Sequence, residues 1–168
     1  MKTDVRRHTE FLEMLRQCEG TLMKVCLYFT GRRRDDFRDL YQEIACTLWE
    51  SWPTFQGESN VNTWVTRIAL NVAGQEIRKR RHLPQFVELD EAIYDTLADE
   101  ATDLRYQPLY NLLDRLGDDD RKLMFLFLDR HPLREIAEIT GLTETAVKQR
   151  LYRLRQQLIE IKQREYEH

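Results

Sequence analysis

Residues 132–155, PLREIAEITGLTETAVKQRLYRLR, decide how this chain is read. Glu135 to Thr140 reads as a short helix with Ile136, Ala137 and Ile139 turned inward. Gly141 follows as the residue that enters the left-handed region at no β-carbon penalty. Thr143 is placed to cap a second helix. On that helix Val147, Leu151, Leu154 and Leu158 recur at i, i+4, i+7 and i+11, a single buried stripe. Thr145, Lys148, Gln149, Tyr152 and Arg153 remain outside the stripe, with Arg150 and Arg155 beside them. These side chains reach base edges and phosphates in a major groove. A plain amphipathic helix pair would share the stripe. Gly turn, small Ala137 and basic second helix together point to a DNA-binding helix-turn-helix.

The charge distribution supports this despite a net charge of −3 over 168 residues. Residues 1–82 carry 14 basic and 11 acidic side chains, whereas residues 83–107 carry one basic and seven acidic. Residues 108–168 carry eleven of each, and within 143–164 six Lys or Arg face two Glu. The acid is concentrated in the middle, which leaves the flanks free to be locally basic. No apolar run approaches the roughly 20 residues of a membrane span, and MKTDVRRH has no apolar stretch behind it to make a signal peptide. Three cysteines, Cys18, Cys26 and Cys46, sit on or beside apolar helical stripes without a CxxC pair. They read as reduced thiols of a cytoplasmic protein. With no histidine or cysteine at ligand spacing, neither a metal nor a cofactor is expected.

Gly and Pro total only ten residues, and no long stretch alternates with period two, so the expected fold is all-α. One helix is expected from about His8 to Phe29, with Phe11, Leu15, Cys18, Leu22, Val25 and Phe29 inward, ended by Gly31-Arg32-Arg33-Arg34. A second spans about Asp35 to Trp52, with Phe37, Leu40, Ile44, Leu48 and Trp52 inward, stopped by Pro53. After the polar loop Gln56–Asn60, a third runs from about Val61 to Arg81, with Trp64, Ile68, Val72 and Ile77 inward. Pro84 to Gln107 is the linker, with room for a short helix around Asp90–Leu97. Beyond Pro108, Tyr110–Leu116 forms a helix, Asp118 or Asp119 caps another that runs to about Arg130, and the helix-turn-helix completes the module. The organisation is two small helical domains, 1–82 and 108–168, joined by a flexible acidic linker at 83–107, with the helix-turn-helix in the C-terminal one.

Three separated stretches resemble one family. DLYQEI (39–44), FQGESNVNTWVTRIALNVA (55–73) and REIAEITGLTETAVKQRLYRLR (134–155) look like a bacterial RNA polymerase sigma factor of the sigma-70 family, extracytoplasmic-function class. Order and spacing fit a promoter-melting domain, a linker and a helix-turn-helix domain, from about Phe11 to Ile161. The resemblance implies that Asp39, Leu40, Gln42 and Glu43 dock on the clamp helices of core RNA polymerase. It implies that Gln56, Gly57, Glu58, Ser59 and Asn60 capture an unstacked base of the minus-10 element, while Arg67, Asn71, Arg78, Arg80 and Arg81, with Lys79, hold the adjoining strand. Such work needs a flexible polar loop, aromatic surface and a basic helix. Asn60-Val61-Asn62 departs from the basic and aromatic residues commoner there, so the base preference does not carry over. Trp64 reads as core in preference to a stacking platform. In the second domain Thr145, Lys148, Gln149, Arg150, Tyr152 and Arg153 match the helix that reads the minus-35 element.

The implied partners are core RNA polymerase, promoter DNA and an anti-sigma factor, which in this family is often membrane-bound and can hold the protein at the inner membrane. The acidic linker would thread near the RNA path or serve as a solvated tether. A stand-alone helix-turn-helix regulator, dimeric on a palindromic site, is the alternative. An enzyme is disfavoured: His8, His82, His131 and His168 lie at no usable spacing from carboxylates or cysteines, and no small-molecule substrate is implied. The Asp118-Asp119-Asp120 run reads as helix capping in preference to a metal site.

Overall fold

At the N-terminus the apolar spacing produces two helices in place of one. The computed structural model describes residues 2–31, 34–81 and 112–166. In it α1 (Lys2–Gln17) and α2 (Glu19–Thr30) meet at Cys18, which sits at φ −99° and ψ 5°. Hydrogen bonds from Cys18 N to Met14 O and from Leu22 N to Cys18 O, both 3.0 Å, carry the chain through the bend. The stripe therefore survives it: Phe11, Cys18, Leu22, Val25 and Phe29 are buried, and Leu15 packs at their edge. Gly31, at φ 58°, closes α2 in the left-handed region, its N–H donating to Leu27 O.

α3 (Arg34–Ser51) carries Asp35 and Asp36 in its first turn, where carboxylates suit the positive end of the helix dipole. It buries Leu40, Ile44 and Leu48. Pro53 converts its end into a 3-10 turn, Trp52–Thr54. α4 (Val61–Arg81) starts at the expected residue, but its burial is wider than one stripe. Val65, Thr66, Ala69, Leu70 and Ala73 are the deepest positions and Val72 is also buried, while Trp64, Ile68 and Ile77 are half-buried. The reason is that α4 is covered from two sides, by α2 and α3 and by the C-terminal helices.

Those helices are α5 (Asp118–Leu128), α6 (Leu133–Thr140) and α7 (Glu144–Tyr166). The N-cap of α5 is Gly117, with no side-chain cap bond, so neither Asp118 nor Asp119 plays that part. α5 ends at Leu128. Arg130 takes φ 62°, His131 N donates to Leu126 O and Arg130 N to Phe127 O, the two bonds of a Schellman ending. Pro132 precedes α6, and Gly141, at φ 72°, makes the turn to α7. Thr143 Oγ1 accepts from Ala146 N at 3.1 Å, the expected cap. Of the helix expected over Tyr110–Leu116, the described part begins helical at Leu112 and Leu113 and ends in a turn at Asp114 and Arg115, with Arg115 N bonded to Leu112 O. The acidic linker 83–107 and the short helix expected within it lie outside the described residues.

Both ends of the chain contribute to one apolar cluster, in which Leu22, Val25 and Leu70 share a core with Leu123, Leu126 and Ile136. Tyr28 and Phe125 meet edge-to-face with ring centroids 5.1 Å apart. Among the described residues no helix is long and apolar enough to cross a membrane.

Candidate nucleic-acid interface

The exposed face of α7 follows from its periodicity. With Val147, Leu151 and Leu154 buried, Thr145, Lys148, Gln149, Tyr152 and Arg153 share the opposite side, at i, i+3, i+4, i+7 and i+8. All five are exposed, and the Tyr152 ring, a large apolar surface, is 66% exposed. The positive side chains, amide and hydroxyls stand along one helix face held rigidly by the core beneath. Arg150 is set apart: half-buried, its Nε bonds Asp120 Oδ1 at 2.6 Å.

The loop before α4 has a built base. Trp52 and Phe55 stack with centroids 5.6 Å apart and planes 17° from parallel. Trp64 closes the group at 5.0 Å from Phe55 and 6.0 Å from Trp52. All three rings are half-buried, so Trp64 belongs to the core edge and to an aromatic surface at once. Phe55 escapes a reading by helical period because it lies past the helix end, where the 3-10 turn sets it against Trp52, which the period placed inward. Gln56, Gly57 and Glu58 are exposed above them, Gly57 at φ 74°, and Ser59 is half-buried. Asn60 has a local task. Its Oδ1 accepts from Asn62 N at 2.9 Å and its carbonyl from Trp64 N at 3.1 Å, the N-cap of α4. Asn62 Oδ1 in turn accepts from Thr21 Oγ1 at 2.8 Å, which ties the helix start to α2.

Along α4 the polar side chains expected to face DNA instead face the C-terminal helices. Arg67 Nη2 donates to the Glu138 carbonyl, Lys122 Nζ approaches Asn71 Oδ1 at 3.4 Å, and Arg78 Nε bonds Asp118 Oδ2 at 2.9 Å. Thr63 Oγ1 donates to Glu135 Oε1 at 2.9 Å. Gly74 lets Lys122 in: a β-carbon there would stand 2.5 Å from Lys122 Cε. Burial, partly offset by Asp119, pushes the Lys122 ammonium below the ordinary lysine range. Lys79 pairs with Glu76 at 2.8 Å, and that bond raises its pKa. The side chains of Arg80 and Arg81 lie outside the described residues. Glu135, Glu138, Asp118 and Lys122 carry no local signal for this role, because only the packing brings them to α4.

On α3, Asp39, Gln42 and Glu43 are exposed together. Leu40 is 2% exposed and sits in the core, so it anchors that face and offers no surface to a partner. The Asp118–Asp120 run lies in the first turn of α5, where Asp118 and Asp120 take Arg78 and Arg150. Among the described residues no three His, Cys, Asp or Glu side chains gather as a metal site.

Comparison with known proteins matches two successive family models. Sigma-70 region 2 covers residues 14–83, and Sigma-70, region 4 covers residues 106–158. The chain is similar to the ECF RNA polymerase sigma factor SigX of Bacillus subtilis (strain 168), 27% identical over 134 residues, which are 73% of this chain and 68% of that protein. It is 29% identical to the RNA polymerase sigma factor SigV of the same organism over 123 residues, covering 73% of each. Among solved structures, the fold is shared with the sigma factor RpoE in complex with the anti-sigma factor NepR from Bartonella quintana. That match has TM-score 0.64 and 21% identity, over 92% of this chain and 97% of that one. It is shared equally with CnrH in complex with the cytosolic domain of CnrY, with TM-score 0.64 and 20% identity, over 93% and 89%.

Proposed function

Because the chain belongs to the sigma-70 family, in its extracytoplasmic-function branch of transcription initiation factors, we propose that its promoter reading is divided between the two modules as follows. Region 2, residues 1–82, docks on core RNA polymerase through Asp39, Gln42 and Glu43 and receives the minus-10 element. The loop Gln56–Ser59 and the aromatic base Trp52, Phe55 and Trp64 take an unstacked base, since half-buried rings beside a polar loop offer a π-face to any base. Arg67, Asn71, Arg78, Arg80 and Arg81 follow the strand backbone. Region 4, residues 108–168, reads the minus-35 element through Lys148, Gln149, Tyr152 and Arg153, with Thr145 and Arg150 toward the phosphates. Gln pairs in two-point fashion with adenine, and Lys or Arg with guanine.

The single observation that carries the reading is the exposed row on α7 in a chain whose two halves match the two promoter-binding regions in order. Polymerase performs the chemistry; this chain supplies address. Each module binds modestly, and anchoring both on the core turns the second contact into an intramolecular one. An anti-sigma factor is the regulatory partner we assign, on the strength of the two similar folds solved with one; its tethering at the inner membrane belongs to the same proposal.

Run-off transcription tests this. Purified core polymerase is assayed with and without the chain on fragments of its own genome. Discrete start sites that need both components establish the reading, and their alignment yields both elements. Sequence-specific binding by the chain alone, without stimulation of polymerase, would instead support the stand-alone regulator.

A further inference from the structure

We propose that Arg130 and Arg134 form a phosphate clamp at the entry to the helix-turn-helix, gripping the DNA backbone beside the bases that α7 reads. This rests on the promoter-reading assignment above and extends it to two residues outside the row on α7.

The turn between α5 and α6 has a backbone that glycine would adopt without strain. Arg130 occupies it at φ 62°, the one positive φ at a non-glycine position among the described residues. A β-carbon is penalised in the left-handed region, and such strain persists where the residue is used. The Arg130 side chain is exposed, and among the described residues no hydrogen bond or ion pair holds it. No contact within the described chain therefore offsets the strain.

The charges around this turn are sorted by direction. Asp129 and Glu135 both turn onto His131, whose side chain is 8% exposed. Its Nε2 is 3.0 Å from Asp129 Oδ2 and its Nδ1 is 3.1 Å from Glu135 Oε2. The two acids of the segment are thereby committed to the imidazole. Arg130 and Arg134, at i and i+4, are left exposed with no carboxylate drawn to either. Other cations of the module are neutralised inside it: Arg121 meets Asp114 at 2.7 Å and Arg150 meets Asp120 at 2.6 Å. Arg130 and Arg134 instead resemble Lys148 and Arg153, exposed on α7 and assigned to DNA.

Their place in the motif names the ligand. α6 is the first helix of the helix-turn-helix, and in that motif the first helix crosses the DNA backbone while the second lies in the groove. Arg130 stands two residues before the N-cap Pro132, and Arg134 is in the first turn of α6. A planar guanidinium bonds phosphate oxygens two at a time. Such contacts carry no sequence information. They fix the register in which α7 enters the groove.

Arg130→Gly decides the matter, because glycine suits this turn and a loss of function is then not a loss of fold. Arg134→Ala, at an exposed helical position, is the second variant. Each is assembled with core polymerase, and promoter binding by the holoenzyme is titrated from about 50 to about 200 mM salt. Removing one phosphate contact lowers the slope of log affinity against log salt by about 0.9, so each variant should weaken about threefold less than wild type over this range. The shift should be the same on promoters with altered minus-35 bases. Arg130→Lys, which keeps the cation, should restore the wild-type slope. An unchanged slope for either variant would overturn the proposal. A loss confined to particular base pairs would also overturn it, by making the residue a reader of sequence. Weakened assembly with core polymerase would do the same, by placing the residue against protein. Wild-type holoenzyme that binds no fragment of its own genome would remove the promoter reading, and the clamp with it.

Discussion

Tyr28 and Arg121, 93 residues apart, hold each other by two hydrogen bonds that run in opposite directions. Tyr28 Oη donates to the Arg121 carbonyl and Arg121 Nη2 donates to the Tyr28 carbonyl, each at 3.0 Å. The guanidinium also lies 5.5 Å from the Tyr28 ring centre and 5.2 Å from that of Phe29, and its Nη1 meets Asp114 at 2.7 Å. A buried arginine therefore joins α2 to α5.

The two partners differ in what they leave behind when removed. Tyr28→Phe deletes one donor, and the Arg121 carbonyl keeps its place in α5, so the loss is about 1 kcal/mol. Arg121→Ala removes a 4%-exposed side chain, its packing on two rings and the Tyr28 carbonyl's donor, at a cost of about 3 kcal/mol. Urea midpoints of the full chain measure both. Equal losses would mean that the tyrosine hydroxyl carries the contact.

Lys148→Ala and Gln149→Ala should separate recognition from stability. Both side chains are exposed on α7, so thermal midpoints stay unchanged. Discrimination at one base pair of the minus-35 element should fall by about 1–3 kcal/mol for each. Run-off assays on promoters mutated base by base read this, and uniform weakening across all positions would reassign the residue to the phosphate backbone.

Arg130→Gly should stabilise the chain. At φ 62° the arginine β-carbon crowds the carbonyl in a turn that closes α5, a strain of about 1–2 kcal/mol that glycine lacks. Greater freedom of glycine in the unfolded chain returns part of it. The expected net gain is about 1 kcal/mol in a urea titration, and a loss would show that the Arg130 side chain makes a contact of its own.

Stability should fall at alkaline pH through Cys26. Its thiol is raised from 9.0 to about 12 by burial, so the folded state keeps a proton that the unfolded state gives up. The stabilisation is whole below pH 9 and drains away as pH climbs toward about 12. Lys122 has the opposite sign: its depressed pKa penalises the folded state at neutral pH, and that penalty lifts as pH approaches 10.5. Cys26→Ala should flatten the alkaline decline in midpoint, whatever its cost at neutral pH. A decline of unchanged steepness would place the proton elsewhere.

Local sequence determined the elements with a local cause. Gly141 and Thr143 delimit α7, Pro53 stops α3, and the heptad-like row Val147, Leu151 and Leu154 leaves one basic face outward. These depend on backbone preference and period, which a single stretch of chain contains. Three motifs in order were enough to identify the family.

Tertiary structure decided what no window of sequence holds. The bend at Cys18, the burial of Val65 and Ala69 in place of Trp64 and Ile68, and the capture of Arg67 and Arg78 by the C-terminal helices all follow from which surfaces meet. An amphipathic pattern states that a face will be covered and leaves open by what. The oxygens that meet Arg67 and Arg78 on α4 come from residues at least 40 positions away, and a basic side chain pairs with whichever oxygen that packing delivers.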